Sequence, residues 1–151
     1  MKEKIVYLDS SAVIKRYVRE SGSERIRDLY RSTYLGNTVL VFSLWNIGEI
    51  LGVLDKAQRL QRISEEQHSE AIGRFAEETA RLRKIGRLRL IPVTERILET
   101  SWNFITSQHI YAVDAVQIVS AAESKCDEFL TGDRKLHSVS LSSGLNSQYV
   151  E

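Results

Sequence analysis

One cysteine, Cys126, stands in the 151 residues, so no intrachain disulfide is available. With one cysteine and three histidines, no Cys/His zinc spacing occurs either. Proline is as scarce: Pro92 is the only one. No apolar run approaches the length needed to span a membrane. The opening Met1-Lys2-Glu3-Lys4-Ile5 lacks the apolar core of a signal peptide, so a cytoplasmic protein with no membrane contact is expected. Charge of either sign is not in excess. The formal net charge is +1, which excludes a globally basic nucleic-acid binder but leaves room for local patches. Hydrophobic residues make up 42%, and a chain of this length buries roughly 70% of the surface it exposes when unfolded. One domain over 1–151 is expected, without internal repeats or low-complexity segments.

Strand-like and helix-like segments alternate. Ile5–Leu8 is a short apolar run and reads as a buried strand. A helix follows from Ser10 to about Val18. Ser21 with Glu24 resembles a capping box, and Ile26, Leu29 and Tyr30 give the next helix an apolar side. Thr38–Phe42 is a second strand, and Leu44 to about Leu60 a helix with apolar residues at helical spacing. Gly48 and Gly52 within it suggest close packing. Ser64 and Gln67 form another capping box before a long amphipathic helix with Ile72, Phe75, Ala76, Leu82 and Ile85 on one stripe. Its acids Glu65, Glu66, Glu70, Glu77 and Glu78 then occupy a polar face.

Leu88–Val93 is a third strand, and Pro92 makes it an edge strand or ends it. Thr94 to about His109 reads as a helix with Leu98, Trp102 and Ile105 inward. Ala112–Lys125 is a helix apolar nearly all round. Glu128–Thr131 is a fourth strand, and Gln148–Val150 a candidate fifth. Strands alternating with helices imply an α/β fold: a three-layer sandwich with a central, mostly parallel sheet of about five strands flanked by helices. Ligand sites of such sheets lie outside the carboxyl ends of the strands.

Four of the 20 acids are out of place. Asp9 ends the first apolar run, a position that suits both a strand-end site and a helix N-cap. Glu49 interrupts a helix that is apolar on most faces. Asp114 lies in Ala112-Val113-Asp114-Ala115-Val116, and burying a lone carboxylate costs several kcal/mol unless something compensates. The helix dipole at its first-turn position offsets at most about 1 kcal/mol. Asp133 follows Phe129-Leu130-Thr131-Gly132, where a site acid and a cap for the next helix are both compatible with the pattern. Two acids at strand ends and two on helices beside them converge on one cleft. Like charges in one cleft repel, and a hard divalent cation removes the conflict. Acids without His or Cys suit metal-assisted phosphodiester chemistry rather than zinc proteolysis.

In order, Leu8-Asp9-Ser10-Ser11-Ala12, Trp45-Asn46-Ile47-Gly48-Glu49-Ile50, Ala112-Val113-Asp114-Ala115 and Leu130-Thr131-Gly132-Asp133-Arg134 resemble the PIN domain, most closely its VapC-type toxin ribonucleases. The likeness runs from Ile5 to at least His137. It implies a five-stranded parallel sheet, Mg2+- or Mn2+-dependent endoribonuclease activity on single-stranded or structured RNA, a small antitoxin partner and a homodimer. It also implies that Asp9 and Asp114 are the principal metal-binding acids, that Glu49 and Asp133 complete the set, and that Thr131 supports the site, with Ser10 beside it. Gln117 departs from the pattern, which has an apolar residue or His there. Lys15, Arg16, Arg134 and Lys135 follow two of the site acids and are compatible with backbone contacts to RNA or with ordinary surface charge.

Other readings within the resemblance are a ribosomal-RNA processing nuclease and a non-catalytic binding module. The latter would signal itself by a missing acid, and none is missing. A haloacid-dehalogenase-type phosphatase wants a second Asp two residues after the first, and that residue is Ser11. A response-regulator receiver wants an Asp-Asp pair and a late Lys strand, and neither is present.

Overall fold

The computed structural model describes residues 2–151; of the opening segment, Met1 lies outside them. Five strands, β1 (Lys4–Leu8), β2 (Thr38–Ser43), β3 (Leu88–Ile91), β4 (Glu128–Thr131) and β5 (Ser147–Tyr149), form one sheet in the order β3-β2-β1-β4-β5. Every pairing is parallel. The fifth strand is therefore present, and β3 is an edge strand that stops immediately before Pro92.

Seven helices connect and cover the sheet among the described residues: α1 (Ser10–Tyr17), α2 (Ser23–Tyr34), α3 (Leu44–Arg59), α4 (Glu65–Lys84), α5 (Glu95–Gln108), α6 (Ala112–Ser124) and α7 (Arg134–Ser142). Successive strand side chains point to opposite faces. Val6, Leu8, Leu40 and Phe42 enter the core under α1 to α4, with Ile26, Tyr30, Ile50, Leu54 and Phe75. Tyr7, Val41 and Phe129 enter the other core, under α6 and α7, with Ala115, Ile118 and Leu136. Burial on both faces explains why β2 is buried at all six positions.

Several local expectations fail, each for a tertiary reason. No capping box forms at Ser21 and Glu24. The N-cap of α2 is Gly22, at φ +89°, and Ser23 Oγ instead accepts from Glu20 N at 2.9 Å. A Cβ on Gly22 would stand 2.8 Å from Val150 Cγ1, so the close approach of the last strand's end selects glycine there. Gly48 and Gly52 do not mark close packing, since a Cβ on either meets nothing within 4 Å.

On α5 the inward residues are Ile97 and Ser101, whereas Leu98 and Trp102 face outward, Trp102 at 60% exposure. A turn of 100° per residue separates the two stripes, and contact with α6 selects the Ile97 stripe. On α4, Ala76 is exposed, as is Ile85 just after the helix, and Glu78, expected on a polar face, is buried at 8% exposure. Arg16 Nε and Nη2 each donate to Glu78 at 2.9 Å, as do the hydroxyls of Tyr17 and Tyr34. A buried carboxylate with four donors is satisfied rather than misplaced. Tyr17 is buried as part of the same cluster.

Candidate active site

The chain runs β1 to β2 to β3 toward one edge and then returns to place β4 on the other side of β1. The switch point therefore lies between the carboxyl ends of β1 and β4, where a parallel sheet opens a crevice. Asp9 is the residue after β1, and Asp133 is two residues after β4. A cavity of about 310 Å³ opens there, lined by Asp9, Glu49, Asp114 and Asp133, with Gln117 on its wall. The structure thus brings the four sequence-derived acids to one cavity, from two strand ends and from α3 and α6.

Hydroxyl groups set the orientation of two of these acids. Ser11 Oγ donates to Asp9 at 2.7 Å and Thr131 Oγ1 donates to Asp9 Oδ2 at 2.8 Å. The Ala12 amide donates to Asp9 Oδ1 at 3.0 Å, so Asp9 is also the N-cap of α1. Each hydroxyl is itself held by an amide: Gly132 N donates to Ser11 Oγ at 2.7 Å across the β1–β4 junction, and Asp133 N donates locally to Thr131 Oγ1 at 3.0 Å. Ser10 Oγ donates to Glu49 Oε1 at 2.6 Å and accepts from Asn46 Nδ2 at 2.9 Å. Asn46 Oδ1 in turn accepts from the Ser43 amide at the end of β2. Asp133 caps α7 through Leu136 N at 3.0 Å and remains exposed. Asp9 and Asp133 each cap a helix and also line the cavity, so the two readings of these positions are compatible.

Burial pushes the Asp9 carboxyl up to about 6, against the hydrogen bonds from Ser11, Thr131 and Ala12, with Asp133 adding repulsion. Burial also raises Glu49, which Ser10 pulls down and Asp114 pushes up. Asp114 is raised by burial and by Asp133, with Lys135 opposing. In all three acids burial is the largest cause, so the cavity disfavours their charged forms. The donors are carboxylate oxygens only, which suits a hard divalent cation. Among the described residues no group of three or more His, Cys, Asp or Glu side chains is close enough together to hold one metal ion.

The PIN domain family matches residues 6–141. The chain belongs to the PIN domain family. Its fold resembles Mycobacterium tuberculosis VapC20, a sarcin-ricin loop cleaving toxin, at 16% identity and a TM-score of 0.62, covering 93% of this chain and 95% of that one. It also resembles Rickettsia felis VapBC2, solved bound to a DNA fragment from its promoter, at 13% identity and a TM-score of 0.66, covering 97% and 99%. FitAcB from Neisseria gonorrhoeae matches at 15% identity and a TM-score of 0.62, covering 94% and 95%. No curated protein sequence matches the chain.

Some residues of this PIN site were not legible in the sequence. Ser11 stands in the first turn of α1, and its hydroxyl bridges Asp9 and the Gly132 amide. Asn46 escapes the usual capping-box pattern because Asn replaces Glu or Gln at N3, but it closes a capping box with Ser43. Gln117 is buried, with its Oε1 accepting from Tyr7 Oη at 2.8 Å and its Nε2 without a partner. Lys15 and Arg16, weighed as RNA contacts, are held by protein carboxylates, Glu20 at 3.1 Å and Glu78 at 2.9 Å. Arg134 pairs with Glu151, and Lys135 lies over the Tyr111 ring.

Proposed function

We propose that this chain is a divalent-metal-dependent endoribonuclease acting as the toxin of a toxin–antitoxin pair. One observation carries the nuclease reading: the four acids of a PIN-family chain line a single cavity at the switch point of its sheet. Asp9 and Asp114 would hold Mg2+ or Mn2+, with Asp133 and Glu49 completing the set. When bound, the ion lowers the pKa of an attacking water and stabilises charge on the phosphoryl group. The chain's own residues divide the remaining work. Ser11 and Thr131 fix both oxygens of Asp9 and favour its ionised form. Glu49, held by Ser10, presents its other oxygen to orient a water and accept its proton. Gly132 and Asp133 amides lock the hydroxyls that do the fixing.

Folds shared with VapC20, VapBC2 and FitAcB support the toxin role. So does an apolar surface on the helix that carries Glu49. Trp45 and Val53 of α3 are exposed and lie one turn to either side of Glu49, about 40° from it around the helix, whereas the exposed Leu44 and Leu51 lie on another side. An antitoxin segment laid on that face would cover the cavity mouth, since Val53 also lines the cavity. Homodimerisation belongs to the same proposal, and the outward Leu98 and Trp102 of α5 are free for it. The experiment is cleavage of single-stranded RNA in Mg2+ against EDTA, with paired growth assays of the chain expressed alone and with its neighbouring gene. Cleavage without growth arrest removes the toxin role and keeps the nuclease role. Absence of cleavage removes both.

A further inference from the structure

A second cavity, of about 250 Å³, adjoins the acidic one, and Lys15 lines both. Its walls carry Lys15, Arg16, Arg19, Arg27 and Arg74, and no carboxylate. Two of these cations are committed to the fold. Lys15 Nζ donates to Glu20 at 3.1 Å and to the Ser21 carbonyl at 2.7 Å. Arg16 is doubly bonded to Glu78 and lies over the Tyr30 ring at 4.8 Å. The other three are different. Arg19 follows α1, Arg27 stands on α2, and Arg74 stands on α4. None has a carboxylate within ion-pair distance among the described residues, whereas Arg25, Arg31, Arg59 and Arg87 each do. Arg74 lies over the Tyr17 ring at 5.8 Å, which limits its orientations.

Arg19 and Arg27 also border a cavity with Glu20, Glu24 and Glu151, and Arg19 and Arg74 one with Glu70; none is ion-paired, so the three guanidinium groups that share this cavity are free to take an anion together. Guanidinium N–H groups match phosphate oxygens in pairs. We propose that this basic cavity is a phosphate subsite: it grips the RNA backbone beyond the scissile bond while the neighbouring phosphodiester enters the acidic cleft. The assignment rests on the nuclease reading, which supplies a polyanion long enough to span both cavities. An acidic peptide would satisfy the same cations. It would not explain why a cavity whose charged lining is all cationic shares Lys15 with the cavity of the four acids. Such contacts fix register and affinity rather than sequence.

The test uses the full chain carrying Asp9→Asn, so that RNA is bound but not cut, and a labelled single-stranded RNA oligonucleotide read by fluorescence anisotropy over a salt series. Arg27→Gln with Arg74→Gln should raise Kd about fivefold or more at low salt. The same pair should flatten the plot of log Kd against log salt by about 0.7 for each phosphate no longer neutralised. Arg19→Gln with Arg27→Gln, both exposed and unpaired, gives the same test without touching the Tyr17 packing. Arg96→Gln, which removes the same unpaired charge on α5, packed on the opposite face of the sheet, should leave Kd and slope where they are. Melting curves check that each variant is folded. Unchanged Kd and slope in both double variants overturn the proposal, and that is also the result expected if the anion is an acidic peptide. Wild-type cleavage in Mg2+ is measured beside these. Cleaving protein with indifferent arginines loses only the subsite. Arginine-dependent binding without cleavage loses only the catalytic reading. A protein that neither binds nor cuts RNA loses both.

Discussion

Burial and hydrogen bonding act on Asp9 in opposite directions, and burial wins. Its carboxyl is pushed up to about 6 from an ordinary 3.8. The folded state therefore binds a proton that the unfolded chain has already released, so the stabilisation is complete below about pH 4 and is lost as pH rises through 6. Across that window the metal-free protein should lose on the order of 2–3 kcal/mol. Asp9→Asn keeps the shape without the charge. In EDTA its melting temperature should exceed that of wild type at pH 7 and change less between pH 4 and 7. Parallel curves for the two proteins would contradict the burial account. The surrounding sequence suggests that Asp114, amid apolar neighbours, bears the heaviest penalty. Asp114 is only half-buried, however, because its first-turn position on α6 opens on the cavity. Thr131→Val removes a donor to the ionised Asp9 and should shift the acid limb of the activity profile to higher pH. An unmoved limb would separate Thr131 from Asp9.

Helix by helix, burial periodicity was legible where one face is apolar and misleading where a polar residue is buried by a partner. Glu78 on α4 is the clearest case. Burial raises its carboxyl, but hydrogen bonds from Arg16, Tyr17 and Tyr34 and the Arg16 charge together bring it below the ordinary value. Its stabilising contribution is therefore present above the unfolded value and lost as pH falls through the folded one. Glu78→Gln leaves Arg16 without its counter-ion between α1, α2 and α4, and should cost about 2–4 kcal/mol in denaturant unfolding. A loss below about 0.5 kcal/mol would mean that the cluster is solvated. On α5 the sequence offers two apolar stripes 100° apart, and only packing against α6 chooses between them. Ile97→Ala should cost about 2–4 kcal/mol. Trp102→Gln should change stability by about 0.5 kcal/mol or less. Reversed costs would restore the inward Trp102 reading.

At the scale of the whole chain, alternating strands and helices were enough to give a parallel sheet flanked by helices. The order β3-β2-β1-β4-β5 was not legible, because pairing between β1 and β4 joins segments more than a hundred residues apart. That pairing nonetheless decides the site: it sets Asp9 beside Thr131 and Asp133. The four acids were legible because carboxylates in apolar runs demand an explanation. Ser11, Asn46, Gln117 and the basic cavity were not, since their meaning lies in partners distant in sequence. Several acids with disfavoured charge share one cavity, so metal binding and stability should be linked. An ion that binds only the folded state stabilises by RT ln(1 + [L]/Kd). Mg2+ should thus raise the melting temperature of wild type more than that of Asp114→Asn, and an equal rise would take Asp114 out of the metal site. The central claim is tested most directly by incubating single-stranded RNA with purified wild type and Asp9→Asn in Mg2+ and in EDTA. The account predicts cleavage by wild type in Mg2+ alone, with Asp9→Asn losing most of it. Cleavage that survives EDTA, or an Asp9→Asn protein that cuts at the wild-type rate, would contradict it.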